Sequence, residues 1–257
     1  MIRKMLSSLL EGYQKWTYFP LAKRMILRRI VEVAGMLRGR LLDVGAGDRP
    51  YEELFVNTTE YIGSNSQTYY TADEIRELEP YTDLWIDDAV KLPCDDSSFD
   101  SILLLQVLSD ISDPPAFFAE ARRVLKPGGR LLITTDFLYP AWGRFRYTAR
   151  GLAGLCTEAG FTVVTHQAMG GFGATLYCLI ARYINYYSER LRQVHGLRRW
   201  TGYLGLVVCL GLLPVFSLAG MLIYLRERNS RDQFWCTFNQ LIVCESPHQA
   251  GASSTDA

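Results

Sequence analysis

Short apolar runs recur along the chain, and polar or helically spaced stretches separate them. Six of the runs have the length of buried strands: residues 41–44, 61–63, 84–86, 101–107, 130–135 and 161–164. Residues 114–125 place their apolar side chains on one side of a predicted helix, and Thr148 is suited to cap another helix that reaches about Glu158. Strands that alternate with helices predict an α/β fold with a parallel sheet.

The turn after the first apolar run has the composition of a ligand-binding turn. Asp43 and Val44 end the run, and Gly45, Ala46 and Gly47 follow. Parallel sheets bind ligands at the carboxyl ends of their strands, and glycine lets the backbone approach a ligand closely. A dinucleotide fingerprint requires a third glycine at position 50, which is proline here, so the turn disfavours hydride-transfer cofactors.

Later segments identify a family. Asp88-Ala89 and Leu92-Pro93 precede the run DDSSFD at residues 95–100, and Gln106-Val107-Leu108 and the run RRVLKPGG at residues 122–129 follow. In this order the segments resemble class I S-adenosylmethionine-dependent methyltransferases, most closely the methyltransferase type 11 family, over roughly residues 38–166. The resemblance implies a Rossmann-like, mostly parallel sheet whose last strand is antiparallel. Residues 238–244 are then the expected seventh strand.

The resemblance also implies which residues hold the cofactor, S-adenosyl-L-methionine. The glycine turn would pass under its methionine part, and Asp43 would help position its amino group through water. Asp88 would accept a hydrogen bond from the adenine amino group. Gln106 and Val107 would lie beside the sulfonium. The implied cofactor contacts are Asp43, Gly45, Ala46, Gly47, Asn65, Asp88, Ala89, Gln106 and Val107.

Two positions depart from the pattern of the family. Family members usually carry an acidic residue after the second strand, which holds both ribose hydroxyls, whereas this chain has Ser64-Asn65. Asn65 is either a weaker, uncharged ribose contact or a turn residue. Relatives also often carry a Glu-His pair after the fourth strand, where this chain has Ser109-Asp110.

An oxygen nucleophile benefits from a general base when it accepts a methyl group. Asp136 directly follows the fifth predicted strand and is the first candidate for that base. His166 follows the sixth predicted strand and is the second candidate, while Asp110 and Tyr147 are further ones. A structural role remains the alternative for each of them.

Residues 202–225 form a stretch of 24 residues without a charge, flanked by Arg199 and Arg226. One straight helix of this length would reach about 36 Å, enough to span a bilayer core. Since the sixth and seventh strands belong to one sheet, the chain must leave and return on the same side, and Pro214 breaks the middle. These features predict a re-entrant or interfacial hairpin; the alternative is a buried helix pair.

The predicted organisation follows from these segments. Residues 1–37 are a basic amphipathic helical segment, 38–166 the Rossmann-like core, 167–235 a helical insertion with the hairpin at 202–225, 236–245 the last strand, and 246–257 a disordered tail. Basic and acidic residues balance at 27 each, which does not suggest a nucleic-acid partner. The six cysteines lack a CxxC spacing and are expected to be free thiols, and the three histidines are too scattered to indicate a metal site.

The function expected from these features is methyl transfer at the cytoplasmic face of a membrane, with membrane lipids contacting the hairpin and the basic amino-terminal segment. The first acceptor hypothesis is O-methylation of a lipid-linked glycan or another apolar acceptor. The alternatives are a quinone or isoprenoid acceptor and, in a different class, a non-catalytic membrane scaffold that keeps the fold.

Overall fold

A computed structural model of the chain describes residues 19–136, 143–193 and 239–248, with short pieces between 215 and 237. The chain divides into two compact units. Among the described residues, the larger unit contains 29–136, 143–167 and 240–248, and the smaller contains 19–28, 168–193 and the pieces up to 239.

A seven-stranded sheet organises the fold, in the order β3-β2-β1-β4-β5-β7-β6. Its strands are β1 (Gly39–Val44), β2 (Thr58–Ser66), β3 (Leu84–Ile86), β4 (Phe99–Leu105), β5 (Leu125–Asp136), β6 (Thr162–Met169) and β7 (Asn239–Glu245). The pairs β1/β2, β1/β4, β2/β3 and β4/β5 are parallel. The order reverses between β1 and β4, so the carboxyl ends of these two strands form the switch point at which such sheets bind ligands.

The last strand runs against its neighbour β5. Ser246, just after β7, exchanges backbone hydrogen bonds with Gly128 and Gly129 near the start of β5, at 3.1 and 2.8 Å. The end of β7 therefore lies beside the beginning of β5, which is the antiparallel arrangement. The predicted Rossmann-like sheet with an antiparallel last strand is confirmed.

Five helices are described: α1 (Phe19–Ala34), α2 (Ala72–Leu78), α3 (Pro114–Val124), α4 (Ala149–Glu158) and α5 (Phe172–Gln193). Thr148 caps α4 by accepting a hydrogen bond from the Gly151 amide at 3.0 Å, as its position in the sequence suggested. α2 has no counterpart in the prediction because it buries no residue and so carries no apolar stripe. A capping box of Thr71 and Glu74 starts it instead.

The core of the larger unit lies between the sheet and the apolar faces of α3 and α4. Phe117 and Phe118 of α3 are fully buried, and the Phe118 ring meets Phe161 edge-on at 6.3 Å between centroids. Leu152 and Cys156 supply the buried face of α4. The predicted helical stripe over 114–125 is thus the face that packs against the sheet.

Three strands are at least four residues longer than the apolar runs that predicted them. β2 begins at Thr58 because its polar first residues pair in register with β1. β5 begins at Leu125, which pairs with Phe99, and includes Pro127, Gly128 and Gly129. The register between β4 and β5 is irregular at this start. β6 continues to Met169, where the Thr237 hydroxyl bonds the Met169 amide and carbonyl groups at 3.1 Å.

Much of the predicted helical insertion lies outside the described residues. Of the hairpin at 202–225, the structure describes residues 215, 218–219 and 222–225, which are helical. In the described part of the chain, no helix is both long and apolar enough to cross a membrane. The hairpin, the segment at residues 1–18 and the proposed domain boundaries stay predictions.

Two smaller expectations can be compared with the structure. Ser246, the first residue of the tail that was expected to be disordered, is buried and pairs with β5, while residues 249–257 lie outside the described residues. Cys94, Cys156, Cys178 and Cys244 are free thiols, and all but Cys94 are buried, while Cys209 and Cys236 are not described.

Candidate cofactor and active site

A cavity of about 780 Å³ opens at the carboxyl ends of the first four strands in the larger unit. Its wall comes from the turn after β1, the segment after β2, the turn after β3, the segment after β4 and one residue that follows β5. The lining residues are Val44, Gly45, Ser66, Thr68, Tyr69, Tyr70, Ile86, Asp87, Asp88, Ala89, Leu105, Gln106, Val107, Asp110, Ile111, Ser112 and Arg144. The cavity thus stands at the switch point of the sheet, where the sequence predicted the cofactor.

The glycine turn reaches this cavity through Gly45, which has no side chain, while Ala46 and Gly47 are not among the lining residues. Gly45 has φ +78°, and a Cβ built there would lie 2.6 Å from Cγ2 of Val107. The amides of Gly45 and Ala46 both donate to the Ser64 carbonyl at 2.9 Å, which fixes the turn to β2. Gly47 has φ +57° and no atom within 4 Å of its would-be Cβ. The turn therefore presents bare backbone to a ligand.

Asn65 holds the glycine turn from the side. Its Oδ1 accepts the Gly47 amide at 2.8 Å, and its Nδ2 donates to the Gly47 carbonyl at 3.2 Å and to Thr82 Oγ1 at 2.8 Å. The side chain is fully buried and is not among the residues that line the cavity. In this structure Asn65 positions the turn, and its predicted direct contact with the ribose stays a prediction.

Ser66 is a candidate that the sequence analysis missed. It is the last residue of β2 and lines the cavity, and its hydroxyl lies 2.8 Å from Thr68 Oγ1 and 3.3 Å from the Asp87 carbonyl. A hydroxyl can exchange hydrogen bonds with a ribose hydroxyl. The prediction missed it because the apolar run of this strand ends at Gly63, three positions before the strand itself ends.

Asp43 offers a buried acceptor close to the turn. One carboxylate oxygen accepts the Tyr61 hydroxyl at 2.5 Å, while Oδ1 is buried and has no hydrogen-bond partner among the described residues. Burial raises the pKa of Asp43 to about 6, although the Tyr61 hydrogen bond lowers it. A buried unpaired carboxylate oxygen is costly and suits a cationic amino group, reached directly or through a water.

Asp88 and Ala89 lie where the resemblance placed them, at the edge of the cavity after β3. Asp88 Oδ1 accepts the Val90 amide at 3.2 Å, and Oδ2 accepts the Ser112 hydroxyl at 3.3 Å. The side chain is exposed, so its remaining acceptor positions face solvent. Asp88 is therefore both a turn residue and a cavity residue, and these two roles are compatible.

Gln106 turns the chain at the end of β4. Its φ is +63°, its amide bonds the Thr134 carbonyl at 2.9 Å, and its Nε2 donates to Thr134 Oγ1 at 2.8 Å. A left-handed non-glycine residue costs free energy and often marks a functional position. The turn places the Val107 side chain against the space that Gly45 leaves open.

Asp136, the first candidate for a base, ends β5 and is half-buried. Burial raises its pKa to about 6; the Arg146 guanidinium lowers it and the Asp110 carboxylate raises it. These electrostatic effects link Asp136 with Asp110, which lines the cavity, although Asp136 itself does not. A carboxylate with a pKa near 6 is ionised at neutral pH and still basic enough to accept a proton.

His166 lies within β6 rather than after it, so the expectation that it follows the strand was wrong. One ring nitrogen lies 3.0 Å from Gln240 Oε1 of β7, and burial lowers the pKa of the imidazole. Gln240 in turn donates to the Tyr147 carbonyl at 2.5 Å. His166 is not among the lining residues, and these contacts tie β6 to β7. A catalytic role for it stays a prediction.

Arg144 is the second residue that sequence reasoning missed. The carbonyl of Ser109 accepts the amides of Arg144 and Phe145 at 2.6 and 3.1 Å. Gly143, at φ +81°, packs so closely on Ser109 that a Cβ would lie 2.6 Å away. This backbone clamp places Arg144 at the cavity, where it is the sole cationic residue among the described lining residues. No run or motif in the sequence marks it.

A strap of residues 66–71 crosses one side of the cavity. The Tyr69 hydroxyl donates to the Asp110 carbonyl at 2.9 Å and so joins the segment after β2 to the segment after β4. The capping box at Thr71 and the Ser66 hydroxyl hold the two ends of the strap. Opening the strap breaks one exposed hydrogen bond, which is a small cost.

A smaller cavity of about 460 Å³ lies nearer the opposite ends of the strands. Arg40 stacks over the Phe99 ring at 4.8 Å and pairs with Glu60 at 2.7 Å in its wall. Asp95 also lines it. In the described part of the chain, no group of His, Cys, Asp and Glu side chains could hold a metal ion.

Residues 42–133 match the sequence pattern of the family described as methyltransferase domain. This part of the chain is similar to the methyltransferase domains of the type 11 family, as the motifs predicted. The match contains the glycine turn, Asp88 and Gln106, and it ends three residues before Asp136.

Curated relatives of the methyltransferase domain carry the name demethylmenaquinone methyltransferase. The protein of Renibacterium salmoninarum is 31% identical over 120 residues, covering 46% of this chain and 50% of that protein. The protein of Streptomyces griseus subsp. griseus is 30% identical over 128 residues, covering 49% of this chain and 55% of that protein. The chain thus spans about half the length of the curated relatives it matches.

Solved structures share the fold at lower identity. A putative sarcosine dimethylglycine methyltransferase from Galdieria sulphuraria has a TM-score of 0.53 at 15% identity, covering 88% of this chain and 86% of that chain. The [4+2]-cyclase SpnF has a TM-score of 0.50 at 22% identity, covering 87% and 81%. Because these likenesses include a cyclase, the fold alone does not determine the reaction.

Proposed function

We propose that this protein is an S-adenosylmethionine-dependent methyltransferase that acts on a small apolar acceptor of the quinol class. The observation that carries the proposal is the cavity at the switch point, which has the bare backbone of Gly45 and the Asp88 carboxylate in its wall. Close to the same turn, the buried Asp43 Oδ1 has no hydrogen-bond partner among the described residues. This combination suits a ligand with an amino group, a ribose and an adenine.

The residues present fit this cofactor. The turn at residues 45–47 would lie under its methionine part, Asp43 Oδ1 would take its amino group, and Asp88 its adenine amino group. Ser66 would offer a hydroxyl to the ribose in the place of the usual carboxylate. When bound, S-adenosylmethionine supplies a methyl group that is already activated by a sulfonium.

The work left to the chain is to orient the acceptor, exclude water and accept a proton. Asp136 is the proposed base, because its half-burial and the neighbouring Asp110 keep its carboxylate basic. Arg144 would face the oxygen of the acceptor that becomes negative when its proton leaves. The Tyr69 strap would close over the bound ligands.

The relatives favour a quinol acceptor over a lipid-linked glycan. Both curated relatives described above are named for demethylmenaquinone. In the quinol form of such a ring, loss of a hydroxyl proton to the base would make the neighbouring ring carbon nucleophilic. That carbon would take the methyl group as the bond from the methyl to the sulfonium breaks, and its own hydrogen would then leave as a proton to the ring oxygen. The same base and cation would serve this acceptor. We therefore rank the quinone alternative above the first hypothesis of glycan O-methylation.

A membrane location is part of the proposal. The acceptor of this class carries an apolar chain that partitions into a bilayer, and the uncharged stretch at 202–225 is flanked by Arg199 and Arg226. We propose that the protein acts from the cytoplasmic face of a membrane as a monotopic or peripheral protein. Removing residues 200–228 should then shift it to the soluble fraction.

Calorimetric titration of the purified protein with S-adenosylmethionine tests the proposal. We expect binding by the wild type, clear weakening in Asp88→Ala, and unchanged binding in Asp95→Ala, a matched aspartate at the smaller cavity. Transfer of a labelled methyl group to a prenylated quinol, with an aqueous glycan acceptor alongside, then tests the acceptor class.

The rival is a membrane scaffold that keeps the fold without catalysis. It predicts no titration heat for the folded wild type, and that result would end the enzymatic proposal. Cofactor binding together with transfer to the glycan alone would reject the quinol acceptor and keep the methyltransferase.

A further inference from the structure

Helix α5 of the smaller unit is apolar on two sides. Its buried side carries Ala174, Thr175 and Cys178, which are at most 1% exposed. The opposite side should then be polar, as in other surface helices with one packed face.

The opposite side of α5 is instead a stripe of large apolar and aromatic side chains. Leu176, Ile180, Tyr183 and Tyr186 are 44, 37, 64 and 49% exposed, and Phe172 precedes them at 52%. Steps of three and four residues keep all of them within about 120° of the helix circumference. A contiguous exposed apolar surface of this kind marks a binding surface.

The order of residues along the stripe fits the boundary between lipid and water. Aliphatic and phenyl side chains come first, the two tyrosines follow, and Arg190 ends the stripe. Arg190 donates to the Tyr186 hydroxyl at 2.9 Å, and its guanidinium lies 5.5 Å from the centre of that ring. Aromatic rings beside basic groups are typical of membrane interfaces, where the rings sit at the level of the headgroups.

Charge favours the surface of an anionic bilayer over a neutral one. Arg190 places a positive charge at the end of the stripe. Basic residues at the rim of an apolar surface are attracted to anionic headgroups.

A second exposed apolar set belongs to the same unit. Val215, Leu218, Leu222 and Leu225 are 66, 62, 58 and 45% exposed, again at steps of three and four, and Arg226 follows directly. The two sets repeat the same order of apolar side chains and then arginine.

We propose that the exposed stripe of α5, from Phe172 to Arg190, is a membrane-binding surface that lies in the interface of an anionic lipid bilayer. This inference rests on the membrane location proposed above and gives it a defined surface. It does not depend on methyl transfer.

Vesicle sedimentation of the full chain tests the inference, with phosphatidylcholine vesicles that contain or lack phosphatidylglycerol. The stripe variant Leu176→Glu/Ile180→Glu should lower the partition coefficient at least about tenfold. Arg190→Gln should lower it about fivefold, and only on the anionic vesicles. Val56→Glu, at an 81% exposed apolar residue of the larger unit, is the matched control and should bind like the wild type. Circular dichroism and thermal melting check that each variant is folded.

The possible outcomes distinguish the proposed membrane-binding surface on α5 from the proposed membrane location of the protein. If the wild type sediments with vesicles and the stripe variant does so equally well, the surface is wrong while the membrane location stands. If the folded wild type binds neither kind of vesicle, both fail, and the methyltransferase proposal is untouched. A wild-type dimer that the stripe variant breaks, without vesicle binding, would assign the stripe to a second copy of the chain and overturn the inference.

Discussion

Replacing Gly45 with alanine tests whether the turn after β1 must lack a side chain. The new methyl group would lie 2.6 Å from Cγ2 of Val107, on a residue with φ +78°. The left-handed backbone costs an L-residue about 1–2 kcal/mol, and the overpacking adds about 1–3 kcal/mol. Gly45→Ala should therefore lower the free energy of unfolding by about 2–5 kcal/mol.

The same strain should weaken binding of the cofactor. If the turn of the unliganded variant relaxes away from Val107, cofactor binding must restore its shape. Each 1.4 kcal/mol of strain then raises the dissociation constant about tenfold. Adding Val107→Ala should restore the stability lost to overpacking. The loss caused by the left-handed backbone should remain, because alanine at position 45 still needs a positive φ.

Urea denaturation and calorimetric titration with S-adenosylmethionine measure the two effects. Gly154→Ala is the matched control, because Gly154 lies inside α4 with nothing within 4 Å of a new Cβ. It should raise stability by about 0.5–1 kcal/mol. A Gly45→Ala protein with the wild-type unfolding midpoint and affinity would refute the reasoning about the turn.

Four further predictions concern Asp136 and two residues of the cavity. In the wild type, kcat/KM should rise with pH through about 6 as Asp136 ionises. Asp136→Asn should have a low kcat/KM that does not rise in this range, and a pH profile unchanged by the variant would exclude Asp136 as the base. Folding raises the pKa of Asp136 from 3.8 to about 6, so the folded state binds the proton more tightly than the unfolded state. The free energy of unfolding should therefore fall as the pH rises from about 4 to 6, and urea titrations should show a smaller fall in Asp136→Asn. Tyr69→Phe should speed dissociation of S-adenosylmethionine about two- to tenfold by stopped flow, whereas Tyr81→Phe should not. Arg144→Ala should reduce kcat/KM for the acceptor about tenfold with unchanged cofactor affinity, and an equal loss in Arg150→Ala would show a general charge effect instead.

The sheet could be predicted from the sequence because buried parallel strands are continuous apolar runs. The runs at 41–44, 101–107 and 130–135 became β1, β4 and β5, which are the three central strands of the sheet. Strand ends were harder to predict, because polar residues such as Thr58 and Ser66 belong to β2 only through pairing with its neighbours. α2 was missed since it packs no residue into the core.

The candidate residues of the cofactor site came from the family motifs that the sequence resembles. Gly45, Asp88 and Gln106 line the cavity at the positions that their motifs indicated. Asn65 showed the limit of such reasoning. Its position after an apolar run suggested a ligand contact, but the fold brings Gly47 and Thr82 within hydrogen-bond distance, and these two residues occupy its amide.

The sequence by itself determined the alternation of strands and helices, the glycine turn and the resemblance to a methyltransferase family, because each depends on residues that are neighbours along the chain. Only the tertiary structure decided which side chains meet across strands. Arg144 reaches the cavity through a clamp on Ser109, and His166 pairs with Gln240 across β6 and β7. These contacts join residues 35 and 74 positions apart, and such separations leave no local pattern, because chain topology alone brings the partners together.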